Sequence, residues 1–310
     1  MPNKKLVKFI AKLLVSLFFV WWIIFKVDWN EVGQYLKKLS GSEIILYVLL
    51  YLSGMIFSAY KWRFLAGLRG IILPLGEFFK SYFTATFINN FMPSFVGGDS
   101  FKIYHIGKIS GKFKEATSSV IMDRFTGLVG GMVLVIIFSI LNFSIVRQNN
   151  ILLALDGLAL GGLIFLFVLL EFYRQRKIHT PFEKVNVFLN KLIGEINHYN
   201  GQASHIWKAI GLSFLFNLVG LALANGVLFW ALEIHIGILN YLSVIFLASV
   251  VSSIPISINN IGVKEWAYIT FFGIFGLSAS AVISVAIISR LLQMFLSFLA
   301  IPIYLKDKKV

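Results

Sequence analysis

Asn89-Asn90-Phe91-Met92-Pro93-Ser94-Phe95-Val96-Gly97-Gly98-Asp99 breaks an apolar run that covers residues 78–92. A second break, Pro255-Ile256-Ser257-Ile258-Asn259-Asn260-Ile261-Gly262-Val263-Lys264-Glu265, closes the apolar run 241–254. Each run holds about 14 residues, short of the roughly 20 that carry a helix across a bilayer. Each stops at a proline, which cannot continue a helix, and then passes through residues that tolerate unusual backbone angles. We read both as re-entrant helical hairpins; for the second, residues 266–277 offer the alternative of a separate crossing. The Gly97–Ser100 stretch reads as a helix start with Asp99 or Ser100 as its cap.

The rest of the chain sets these hairpins in a membrane. Of 310 residues, 58% are apolar and 14% charged, with no cysteine. A soluble domain is about 45–50% apolar and about 25% charged. This balance excludes a soluble enzyme, a disordered chain and a fibrous protein. Six runs reach spanning length: 6–25, 44–60, 117–141, 151–170, 207–232 and 281–304. Trp29, Trp62, Trp207, Trp230 and Trp266 fall at their ends, where interface anchors sit. Gly127, Gly130 and Gly131 offer small faces for close helix packing.

The net charge is +14, with 28 Lys and Arg against 14 Asp and Glu. With a cytoplasmic N-terminus, six crossings and two hairpins that return, 21 of the 28 basic residues fall on the inner side and five on the outer. That asymmetry is the positive-inside pattern. It places both termini in the cytoplasm of a cell (inner) membrane. The excess positive charge then faces anionic headgroups, and nucleic acid is not an expected partner. Residues 178–206, polar with helical spacing of apolar positions, read as a cytoplasmic amphipathic linker. It joins a first membrane repeat, 1–150, to a second, 151–310.

The repeats share one order: span, span, broken hairpin, span. In each, an acid after the break precedes an intramembrane arginine by 25 residues: Asp99 and Arg124, then Glu265 and Arg290. Three crossings per repeat invert the second relative to the first, the plan of many transporters. The expected fold is therefore all-α: a polytopic membrane protein of six spanning helices and two Pro/Gly-broken hairpins, arranged as an inverted repeat. An arginine inside a span costs about 2.5–3.5 kcal/mol on insertion scales, so it faces an acid or a polar cavity. Two readings stay open. Arg124 and Arg290 clamp a phosphate, or they pair with Asp99 or Asp123 and with Glu265 to pin each hairpin to the next span. Lys102, Lys264 and Arg63 join the phosphate-binding candidates. Asp99, Asp123 and Glu265 are the coupling or structural acids. Asn89, Asn90, Pro93, Gly97, Gly98, Pro255, Asn259, Asn260 and Gly262 shape the breaks. The scattered histidines have no metal-ligand spacing. Nucleotide-binding loops and nucleophile motifs are absent, so no cofactor, metal or enzymatic activity is expected.

These residues carry a resemblance. Lys61-Trp62-Arg63, Asn89–Pro93 with Gly97-Gly98-Asp99 and Lys102, Asp123-Arg124, and Pro255–Glu265 resemble the family named after the transmembrane region of lysylphosphatidylglycerol synthase, the flippase-like domain proteins. The resemblance covers nearly the whole chain. The family tends to carry glycines where Asn259 and Asn260 stand, and arginine in place of Lys102 and Lys264. A lysine keeps the charge but gives up bidentate geometry. The family's synthases add a soluble aminoacyl-transferase domain, which this chain is expected to lack. The resemblance implies movement of a lipid between leaflets, with an anionic phospholipid or a polyprenyl-phosphate lipid as partner. Two alternatives remain: a membrane platform presenting lipid to a separate partner transferase, and a small-solute secondary transporter.

Overall fold

The structure is a computed structural model and describes residues 4–92, 96–172, 203–254 and 256–307, with isolated positions between 183 and 199. Pro93, Pro255 and most of the linker expected over 178–206 lie outside the described residues. The described residues are helical apart from short turns and irregular connections, and no strand occurs among them.

Helix α1 (Lys4–Lys26) ends at Asp28, whose Oδ1 accepts the backbone N–H of Asn30 at 2.9 Å and of Glu31 at 3.3 Å. That cap starts α2 (Trp29–Lys38) at 86° to α1. Helix α3 (Gly41–Leu68) leads into α4 (Leu75–Phe91), α5 (Val96–Ser110) and α6 (Phe113–Leu141). A single turn, α7 (Phe143–Val146), precedes α8 (Asn150–Phe172). The next span runs through α9 (Ala203–Leu215), a π-helical stretch (Phe216–Leu223) and α10 (Ala224–Ala231). Then come α11 (Ile238–Ser252), a 3₁₀ turn (Ile258–Asn260), α12 (Val263–Gly273), α13 (Ala279–Phe298) and α14 (Ile301–Asp307).

Five helices are long and apolar enough to cross a membrane, and the bent pair α1–α2 makes a sixth if counted as one. The bend was not foreseen, because the first apolar run was read as ending at residue 25 and the polar stretch 26–38 as a connection beyond it. The span read over 44–60 also runs on to Leu68, so Lys61 and Trp62 lie within α3. Trp62 is no interface anchor. It is fully buried, edge-on to Phe78 at 4.8 Å, with its Nε1 donating to Ser119 Oγ at 3.0 Å. Trp29, Trp207 and Trp230 are exposed, as anchors are.

Burial runs opposite to that of a soluble domain. Leu158, Phe165, Phe167 and Phe295 are exposed, while Ser118, Ser119, Ser284 and Ser289 are fully buried. Lipid is as apolar as leucine, so helices associate through small residues and internal hydrogen bonds. A Cβ on Gly54 would stand 2.4 Å from Gly220 Cα, so α3 crosses the π-helical stretch backbone to backbone. A Cβ on Gly130 would stand 2.7 Å from Ser213 Cβ, in line with the packing role read for the α6 glycines.

The hairpins interlock the halves of the chain. The first arm of each packs on the closing helix of the other half: α4 on α13 and α14, α11 on α6. The second arm packs on the closing helix of its own half: α5 on α6, α12 on α13. Asn90 Nδ2 donates to Ser297 Oγ at 2.7 Å across the first contact. Asn142 Nδ2 donates to Asn240 Oδ1 at 2.9 Å across the second.

Candidate functional site

The structure gathers the sequence-predicted residues into two clusters, one at each hairpin. In the first, Asn89 Oδ1 accepts the backbone N–H of Gly98 at 2.9 Å. That side chain, reaching from α4, caps the start of α5. The cap expected at Asp99 or Ser100 is therefore not there. The helix already begins at Val96, which sets Asp99 in its first turn. A Cβ on Gly98 would fall 2.6 Å from Asn89 Oδ1 and 2.7 Å from the Ala85 carbonyl, so only glycine allows this approach.

Asp99 is gripped by Arg124 of α6. Arg124 Nε lies 3.0 Å and 3.2 Å from the two carboxylate oxygens, and Nη2 lies 2.9 Å from Oδ1. One residue earlier, about 100° around the helix, Asp123 points into the protein. Its Oδ2 accepts from Lys102 Nζ at 3.0 Å and from the Tyr82 hydroxyl, and its Oδ1 lies 3.1 Å from Lys61 Nζ. Lys61 also donates to the Asp123 carbonyl at 2.9 Å and to Ser213 Oγ of α9 at 3.3 Å. Lys102 is 2% exposed, with its ammonium 3.8 Å from the Tyr82 ring centre and 4.5 Å from that of Trp62. Such cation–π contacts compensate part of its lost hydration.

The second cluster repeats the plan with one change. Asn259 and Asn260 take left-handed backbone angles, φ 45° and 54°, and Gly262 has φ 85°. Asparagine thus serves where the resemblance led us to expect glycine. Glu265 Oε2 accepts the Gly262 N–H at 2.8 Å and closes the turn onto α12. Arg290 Nε donates to Glu265 Oε1 at 2.8 Å, and its Nη1 and Nη2 reach the carbonyls of Asn259 at 3.2 Å and Asn260 at 3.3 Å. The residue before Arg290 is Ser289, where the first cluster has Asp123. Lys264 Nζ donates to Ser289 Oγ at 2.8 Å and lies 5.5 Å from the Tyr268 ring centre. Among the described residues it forms no ion pair with a carboxylate within 4.0 Å.

The expected pairs Asp99–Arg124 and Glu265–Arg290 are thus both present, and the 25-residue spacing is the sequence trace of each. Arg63 stands apart, its Nε donating to the Leu73 carbonyl at 3.1 Å in the turn before α4. Sequence reasoning missed Lys61 and Tyr82. Ending the second span at residue 60 set Lys61 outside the membrane, and nothing marked Tyr82 among its aromatic neighbours. A groove of about 480 Å³ opens beside α1 and α12, lined by Trp22, Lys26, Ile269, Thr270 and Leu277, away from the charged residues of both clusters. No cluster of three potential metal-ligating side chains occurs among the described residues.

The sequence pattern of the family described as the lysylphosphatidylglycerol synthase TM region matches residues 9–301. The chain belongs to this family. A comparison with curated proteins finds no match. As a family member with long apolar helices, it is an integral, multi-pass membrane protein.

Proposed function

We propose that this protein translocates an anionic, phosphate-bearing lipid, such as an aminoacylated phospholipid or a polyprenyl-linked glycolipid, between leaflets of the cell (inner) membrane. The observation that carries the reading is the charge count at the hairpins. Asp99 and Asp123 stand among Arg124, Lys61 and Lys102, and Glu265 pairs with Arg290 while Lys264 has no acid, so each hairpin keeps one positive charge in excess. In the second cluster that charge is Lys264, which serine and an aromatic ring hold in place of an acid. A phosphate headgroup supplies the missing anion.

Helix lengths support re-entrance. At about 1.5 Å per residue, α4, α5 and α11 measure roughly 22–25 Å and α12 roughly 16 Å, against a hydrocarbon core of about 30 Å. With the hairpins returning, our reading has six crossings, both termini in the cytoplasm and the halves inverted as in many transporters. The groove beside α1 suits an acyl chain, with Lys26 near its rim. We read the chain as a carrier without catalytic residues.

The test is headgroup accessibility in liposomes containing the purified protein. Wild type redistributes anionic or prenyl-phosphate lipid, and Lys264→Met does not, while remaining folded. Unchanged accessibility for every such lipid sinks the proposal. The family's description names a synthase and favours one other reading, a platform that presents lipid to a separate transferase. It predicts a stable partner on co-purification and no transport by the chain alone.

A further inference from the structure

Asp156 lies on α8, two turns from its start at Asn150, inside a span. It is 8% exposed, and neither carboxylate oxygen has a hydrogen-bond partner among the described residues. Ser139 of α6 is a polar neighbour, and its hydroxyl likewise makes no hydrogen bond within normal geometry among the described residues. Leu152, Leu155 and Ala159 of α8 and Leu134, Val135 and Phe138 of α6 belong to the surrounding apolar core.

The other interior acids are neutralised: Asp99 by Arg124, Asp123 by Lys61 and Lys102, Glu265 by Arg290. Among the described residues no comparable cation pairs with Asp156. Helices α6 and α7 pack on α8. The charged residues of α6 are Lys114, Glu115, Asp123 and Arg124, and the nearest, Arg124, is about 22 Å along the helix axis from Ser139. Helix α7 carries none, and Arg147 after it is exposed. A bare carboxylate in such surroundings costs several kcal/mol. A metal cation needs more oxygen ligands than Asp156 and Ser139 provide. A proton removes the charge at once and gives the carboxyl group an O–H that Ser139 can accept.

We propose that Asp156 is a proton-binding site, protonated while α8 packs on α6 and releasing its proton to water when that interface opens, which couples lipid movement to protons. The coupling rests on the translocator reading, whereas the bound proton does not. On release the O–H bond breaks, the electron pair stays on the carboxylate and water takes the proton.

Two measurements test this. In infrared spectra at neutral pH, wild type shows a protonated-carboxyl carbonyl band that Asp156→Asn lacks and Asp156→Glu restores. A band of equal intensity in Asp156→Asn, or none in wild type, overturns the site. In liposomes, a gradient of one pH unit biases the leaflet ratio of wild type up to about tenfold for one proton per lipid, and the bias disappears in Asp156→Asn and Asp156→Leu. A bias that persists in both variants overturns the coupling. A wild type that moves no lipid with or without the gradient overturns the translocator reading, and the infrared band still decides the proton site.

Discussion

Replacing Asp123 by asparagine keeps the side-chain shape and removes one charge from between two ammonium groups, 3.0 Å and 3.1 Å away. The three side chains are 2–7% exposed. At an effective dielectric of about 20, each contact is worth roughly 5 kcal/mol before desolvation is subtracted. Stripping one partner from a buried pair costs about 3–5 kcal/mol, because the remaining charge stays buried. The Asp99–Arg124 pair is the internal control. Its arginine side chain is 52% exposed, so Asp99→Asn costs about 1 kcal/mol or less. Thermal unfolding in detergent, followed by tryptophan fluorescence, reads the difference. Asp123→Asn unfolds roughly 5–10 °C below Asp99→Asn, at about 2–4 °C per kcal/mol. Adding Lys102→Met recovers about half of the loss, because Lys61 retains the residue-123 carbonyl and Ser213 as acceptors. Equal midpoints for Asp123→Asn and Asp99→Asn would refute the reasoning, as would a double variant less stable than Asp123→Asn alone.

Three further outcomes follow from the geometry. Gly98→Ala drives a methyl against the Ala85 carbonyl and costs about 1–3 kcal/mol. Gly97→Ala sets its methyl 2.5 Å from Met92 Cγ and 2.9 Å from its Cβ and costs a similar amount, and thermal shift measures both. Arg290→Lys cannot reach Glu265 and two carbonyls together, so the 256–262 turn is cut faster in limited proteolysis, with a loss of about 2 kcal/mol. Lys264→Met leaves the melting midpoint unchanged or raised, because the lysine has no carboxylate partner to strand; a drop as large as that of Asp123→Asn would contradict the cluster described here.

How much of this was legible in the sequence depended on spacing and on length. The acid–arginine pairs were readable because an acid beside each hairpin break recurs 25 residues before an interior arginine, and both ends are costly in lipid. The left-handed angles at Asn259 and Asn260 were legible through the resemblance, which sets glycine at those positions, because asparagine adopts the same angles. Lys61 was hidden because hydropathy marks where a helix stops being apolar, whereas α3 continues for eight residues beyond Tyr60. The cap from Asn89 onto Gly98 links two helices across the break, and no periodicity records a contact of that kind. Asp156 was passed over in the search for repeats, since its partner helix offers it only a serine.

The π-helical stretch Phe216–Leu223 has a consequence for how this span can change. Upstream of it, Ser213 is fixed in rotation by Lys61 and the Thr126 carbonyl. Downstream, Asn225 Oδ1 accepts the Tyr268 hydroxyl at 3.3 Å. The wider turns let one helix present both residues inward although their spacing does not suit a uniform 3.6-residue turn. Removing a residue from the α-helical turns that flank the stretch, at 214, 215 or 224, would swing everything after it by about 100°, carrying Asn225 away from Tyr268. The stretch works as a phase adaptor, so this span is sensitive to changes of length as well as to any side chain larger than glycine at position 220.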